Sequence, residues 1–85
     1  MQYIYYVEDC PDRAMSGTFR CRTLEKALEW AKNLQENYYV KNPGIFRVFL
    51  KEGGIAIERY VDGKWFAPVY NKEKDIWEYC LEVAA

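Results

Sequence analysis

Residues 23–38 read TLEKALEWAKNLQENY, and this stretch decides the fold. Leu24, Ala27, Leu28, Ala31, Leu34 and Tyr38 recur at the three- and four-residue spacing that lines one face of an α-helix. Trp30 stands at the edge of that stripe. Glu25, Lys26, Glu29, Lys32, Asn33 and Glu36 form the opposite, solvated side. Thr23 suits the N-cap, and Glu25 puts negative charge in the first turn, where the helix dipole favours it. A helix of this length is marginal alone in water. The stripe therefore predicts a sheet beneath it, with Leu28 among the core residues and Leu28→Asp strongly destabilising.

The flanking segments supply that sheet. Residues 2–7, QYIYYV, favour a pleated strand, with Ile4 and Tyr6 on one side and Tyr3, Tyr5 and Val7 on the other. Residues 8–16 hold Pro11 and two Asp residues and read as a loop. In residues 17–22, Phe19 and Cys21 face inward while Thr18, Arg20 and Arg22 face outward. Beyond the helix, Asn42-Pro43-Gly44 marks a turn. Residues 45–51 and 55–61 follow as strands joined at Gly53-Gly54; Phe46, Val48 and Leu50 share one face of the first, and Ile45, Arg47, Phe49 and Lys51 share the other. Asp62-Gly63 is a favoured two-residue hairpin turn into a third strand over residues 64–67, which Pro68 ends or confines to an edge. Asn71 suits the N-cap of a second helix over residues 72–83, with Ile76, Trp77, Cys80, Leu81 and Ala84 on one face. The expected architecture is one α+β domain over residues 1–85. It has a five-stranded, mostly antiparallel sheet and two helices in the order β-β-α-β-β-β-α.

Composition narrows the function classes. Twelve basic and thirteen acidic residues are interspersed, for a formal net charge of −1, so no general attraction to nucleic acid or anionic lipid is expected. No apolar run is long enough to span a bilayer and no charged-then-apolar leader is visible, so the chain reads as cytoplasmic and without a membrane partner. Cys10, Cys21 and Cys80 form no C-x-x-C pair, and the chain has no His. Disulfide frameworks, structural zinc and His-dependent nucleophilic catalysis are thereby disfavoured. Cys21 and Cys80 read as core thiols. Cys10 reads as a loop thiol whose acidic neighbours suppress the thiolate. Glu8, Asp9 and Asp12 match no calcium loop and read as a solvated turn. No cofactor, metal or catalytic residue is expected, and the protein reads as non-enzymatic.

Two constellations point to binding instead. Tyr3, Tyr5, Arg20, Arg22, Arg47, Phe49 and Lys51, joined by Tyr60, interleave basic and aromatic side chains. On an open antiparallel sheet that mixture suits single-stranded nucleic acid, with rings stacked on bases and cations on phosphates. Trp65, Phe66 and Tyr70, with Trp77 and Tyr79 after them, form an aromatic end, and Trp and Tyr are favoured where partner proteins bind. The leading expectation is a small protein-interaction module using Arg20, Arg22, Arg47, Phe49, Trp65, Phe66 and Tyr70. Residues 65–67 or 17–22 could serve as an edge strand for a homodimer. In size and style, but in no motif, the chain is similar to small phage or mobile-element proteins that block a host protein, anti-CRISPR proteins among them. The second expectation is the single-stranded nucleic-acid binder.

Overall fold

The computed structural model describes residues 2–9 and 17–84. The elements are β1 Ile4–Glu8, β2 Thr18–Cys21, α1 Leu24–Asn37, β3 Gly44–Lys51, β4 Gly54–Val61, β5 Lys64–Asn71 and β6 Ile76–Glu82. All strand pairings are antiparallel, and the sheet runs in the order β2-β1-β3-β4-β5-β6. The α+β class and antiparallel sheet are as expected. Within the described residues, however, the sheet has six strands rather than five, and there is one helix rather than two.

The missing helix became β6. Asn71 does cap, but it caps a turn: its Oδ1 accepts from the backbone N–H of Glu73 at 3.1 Å and of Lys74 at 3.2 Å. The chain then reverses through Asp75, whose φ of 54° is left-handed. Beyond it, Trp77, Tyr79, Leu81 and Val83 alternate with Glu78, Cys80 and Glu82. That period of two fits a strand. The strand pairs with β5 from Asn71–Ile76 to Phe66–Glu82. Of residues 65–67, expected as a sheet edge, Trp65 and Phe66 are consequently interior to the sheet, while Ala67 pairs with β6 alone among the described residues. The edges are β2 and β6.

The helix begins as its sequence predicts. The Thr23 hydroxyl accepts from the Lys26 N–H at 3.1 Å. Its stripe is rotated from the expected one. Ala27, Ala31 and Leu34 are buried with Val7 and Ile45, and Leu24, Trp30, Phe19, Cys21, Tyr5, Tyr60 and Trp65 pack around them. Leu28 is 42% exposed and Tyr38 is exposed too. Small residues at positions 27 and 31 let the helix lie close to the sheet, and this close line of approach fixes which side faces in. Leu28→Asp is thus no core lesion. At the C-terminus the Val40 N–H donates to the Leu34 carbonyl at 3.1 Å, and Tyr39 takes the left-handed position, φ 57°. Glycine is the usual occupant there. Tyr39 is also the most exposed large apolar residue described. Tyr39→Gly should therefore raise stability by up to about 1 kcal/mol, the relieved left-handed strain exceeding the added chain entropy. Urea denaturation would measure it.

The helix packs on β1, β2 and β3, and no described element covers the other face of the sheet. Asp62 and Gly63 both adopt positive φ, 50° and 81°, as the two-residue turn requires. The preceding hairpin turns one residue earlier than expected. Lys51 pairs with Gly54, so Glu52-Gly53 forms the turn. Pairing of β5 with β4 stops at Phe66. Pro68 has no N–H to continue that ladder, a bulge falls between Ala67 and Pro68, and the rest of β5 pairs with β6 alone among the described residues. The β5–β6 ribbon therefore leaves the body of the sheet.

Candidate interaction surface

Strand register assigns every side chain to one of two faces. On the helix side, one row across the sheet runs Phe19, Val7, Ile45, Tyr60, Trp65, and the next runs Cys21, Tyr5, Arg47, Glu58. The sequence-predicted residues Tyr3, Tyr5, Arg47 and Phe49 do come together there, but as a packed cluster. The Arg47 guanidinium lies between two rings, 4.2 Å from the centroid of Tyr3 and 4.0 Å from that of Trp65. Its Nε donates to Glu58 Oε1 at 2.7 Å. The two charged side chains are only 13% and 10% exposed. Tyr3 meets Phe49 at 5.2 Å, and Trp65 meets Tyr60 at 4.9 Å. The charge of Arg47 is matched within the fold, and the rings that were to stack on bases stack on one another.

The remaining predicted residues are dispersed. Arg20 pairs with Tyr6 and lies on the opposite face. Arg22 lies past the end of β2 and is exposed. Lys51 is exposed at the tip of β3. Trp65 and Phe66 alternate across β5, so Phe66 faces away from the helix. Tyr70 stands far along the β5–β6 ribbon, its ring 5.2 Å from that of Trp77 and its hydroxyl donating to Asp75 Oδ1. A groove between β2 and α1 is lined by Phe19, Arg20, Arg22, Lys26, Glu29 and Trp30. The buried Trp30 Nε1 has no acceptor among the described residues.

The bare face was not assembled from the sequence, although its parts are legible there. Its middle row runs Arg20, Tyr6, Phe46, Arg59, Phe66. Tyr6 and Phe46 stack, with centroids 5.0 Å apart and planes 13° apart. Arg59 lies 5.7 Å from the Phe46 ring and 4.9 Å from the Tyr79 ring, and pairs with Glu8 at 3.4 Å. Glu8 is buried at the end of β1, not in a solvated turn. The next rows are aliphatic: Ile4, Val48 and Ile57, then Leu50 and Ile55. Leu50 is 77% and Ile55 71% exposed. Ile4, Val48, Leu50 and Ile55 line a shallow depression with Gln2 and Phe49. Period-two reading puts Phe46, Val48 and Leu50 together. What it lacked was which side the helix takes.

The thiols separate in the same way. Cys21 is half-buried against the helix, and burial raises its pKa. Cys80 is exposed, not in the core. Cys10, Asp12 and the rest of residues 10–16 lie outside the described residues. Iodoacetamide at neutral pH should alkylate Cys80 well before Cys21, because the thiolate is the reactive form; peptide mass mapping over time would show the order. Among the described residues, no group of three or more His, Cys, Asp or Glu is placed to hold a metal ion. No described helix is long and apolar enough to cross a membrane.

No protein-family model matches this chain, and no curated protein or solved structure matches it either.

Proposed function

We propose that this chain is a small non-enzymatic protein-interaction module that binds through the open face of its sheet. One observation carries the reading. A six-stranded sheet has a helix on one face, while the other presents Leu50, Ile55, Ile57 and Val61 exposed beside Ile4, Val48, Tyr6, Phe46 and Phe66. A sheet face of this composition ordinarily packs on a second layer, and a contiguous exposed apolar patch marks an interaction site. Single-stranded nucleic acid is the weaker reading, because Arg47 and Arg59 are paired with Glu58 and Glu8 and the Tyr3, Tyr5, Phe49 and Trp65 rings lie on the helix side, away from Arg20. An accessory or inhibitory role, as small phage or mobile-element proteins play against a host protein, suits a module that presents surface and has no His in its sequence.

The test is a tagged pull-down from bacterial lysate with the wild type and with Leu50→Glu/Ile57→Glu, each with and without nuclease. Proteins held by the wild type after nuclease treatment and lost by the double variant would support the reading. Retention by both forms, or loss of every partner with nuclease, would reject the open face as the binding surface.

A further inference from the structure

We infer that the free edge of β2 takes an extended peptide of a partner protein, one that alternates acidic with apolar residues. The edge itself is the first observation. β2 ends the sheet, and beside it the Asp9 N–H donates to the Gly17 carbonyl at 3.2 Å. Backbone polar groups alternate in direction along an antiparallel strand. Gly17, Phe19 and Cys21 therefore bond towards β1, and Thr18 and Arg20 turn their N–H and C=O groups outward, where no described strand meets them. Such an edge is a template for one more strand. Along it runs the groove between β2 and α1, walled by the helix flank Glu25, Lys26, Glu29, Trp30 and Asn33. That flank rises about 12 Å from Glu25 to Asn33, and the four residues of β2 extend about 13 Å. The groove therefore matches about four residues of extended chain.

Charge and side-chain parity name the occupant. Arg20 points to the open-face side of the edge, and Arg22 follows just past the strand. Both are exposed, and neither pairs with a carboxylate among the described residues. Phe19 and Cys21 point to the helix side, where the Phe19 ring lies 5.1 Å from that of Trp30. A strand added to β2 sets alternate side chains beside each group. Those beside Arg20 and Arg22 meet cations that lack a partner, and acids suit them. Those on the helix side meet Phe19 and Trp30, with Glu25 and Glu29 across the groove to repel a further acid, and apolar side chains suit them. Lys26 is already held by Glu29 at 3.5 Å. The buried Trp30 Nε1–H has no acceptor among the described residues, so the groove also offers a donor that an oxygen of the docked chain can satisfy. A second β2 fits badly, because it would bring Arg20 and Arg22 against their own kind. The edge is separate from the aliphatic rows of the open face, and neither reading depends on the other.

Fluorescence anisotropy with a labelled seven-residue peptide alternating glutamate and valine tests this. The wild type should bind it at least about 10-fold more tightly than the same peptide with lysine in place of glutamate. Arg20→Glu/Arg22→Glu should reverse that preference, since an opposed charge selects the partner. One alternate set of peptide N–H groups faces β2 and the other faces water, so N-methylation of one set should abolish binding and of the other should not. Thr18→Pro removes an outward N–H while leaving the β1 ladder intact, and should weaken binding as well. Leu50→Glu/Ile57→Glu should leave it unchanged, which keeps this test apart from that of the open face. No binding of the glutamate peptide by the wild type up to millimolar concentration overturns the inference. So does equal binding of the lysine peptide, binding that survives Arg20→Glu/Arg22→Glu, or full binding by both methylated peptides. Wild-type oligomers that Arg20→Glu/Arg22→Glu dissolves, with no peptide bound, would overturn it in favour of a second copy at this edge.

Discussion

Glu58→Ala lowers the unfolding free energy by about 3–5 kcal/mol, the usual cost of leaving one charge of a buried pair alone. Arg47 is held between the Tyr3 and Trp65 rings and has little access to water. Its Nε–H and its charge both terminate on Glu58. Without that carboxylate the guanidinium must stay desolvated and uncompensated, or swing out and break the ring stack. Against a total stability of about 5–15 kcal/mol for a small domain, this is a severe loss. Glu58→Gln keeps an acceptor but not the charge and should fall between. Replacing the pair together, Arg47→Met with Glu58→Leu, should recover most of the loss, since apolar side chains of similar size can stand in for a buried pair. Urea denaturation of the four proteins checks the series. A Glu58→Ala loss below about 1 kcal/mol, the range of exposed pairs, would mean that the pair is solvated.

Ala27→Asp should be as damaging or worse, about 4 kcal/mol or more, through an unpaired buried carboxylate and overpacking. Ala27 is fully buried where the helix meets the sheet. Leu28→Asp, one residue along, should cost only about 1–2 kcal/mol, from partial loss of apolar cover and lower helix propensity. This contrast separates the observed helix orientation from the one its apolar spacing suggests. Thermal unfolding followed by circular dichroism at 222 nm, a helix-sensitive wavelength, would rank the two variants. Equal losses would mean that the helix is rotated towards Leu28.

The contrast also shows what the residues alone could reveal. Alternation in residues 2–7 and 45–51 correctly sorted Tyr5 from Tyr6 and Arg47 from Val48, because side-chain direction in a strand is set by parity. Thr23 and Asp62-Gly63 were legible because capping and turn geometry are local. The side taken by the helix was not, because Ala27, Leu28, Ala31 and Leu34 span a wider arc than the buried seam and alanine is neutral between core and surface. Residues 72–83 carried a helical spacing through Ile76, Trp77, Cys80 and Leu81 and a strand spacing through Trp77, Tyr79, Leu81 and Val83. The structure takes the strand spacing, paired with β5. The Arg47–Glu58 pair depended on one turn. A turn at Gly53-Gly54 would set Arg47 opposite Tyr60, whereas Glu52-Gly53 sets it opposite Glu58. A shift of two positions in partner keeps the face and changes the chemistry.

These placements separate the two faces: the helix side of the sheet is the protein's own core, and the aliphatic rows of the other side are the surface proposed to meet a partner. Hydroxyl-radical footprinting read residue by residue by mass spectrometry tests that claim most directly. It would be run on protein in buffer and on protein in lysate. The account predicts that Leu50, Ile55 and Ile57 react in buffer and become protected in lysate, while Tyr39 and Leu28 stay reactive throughout. Leu50 and Ile55 remaining as reactive as Leu28 under both conditions would contradict it.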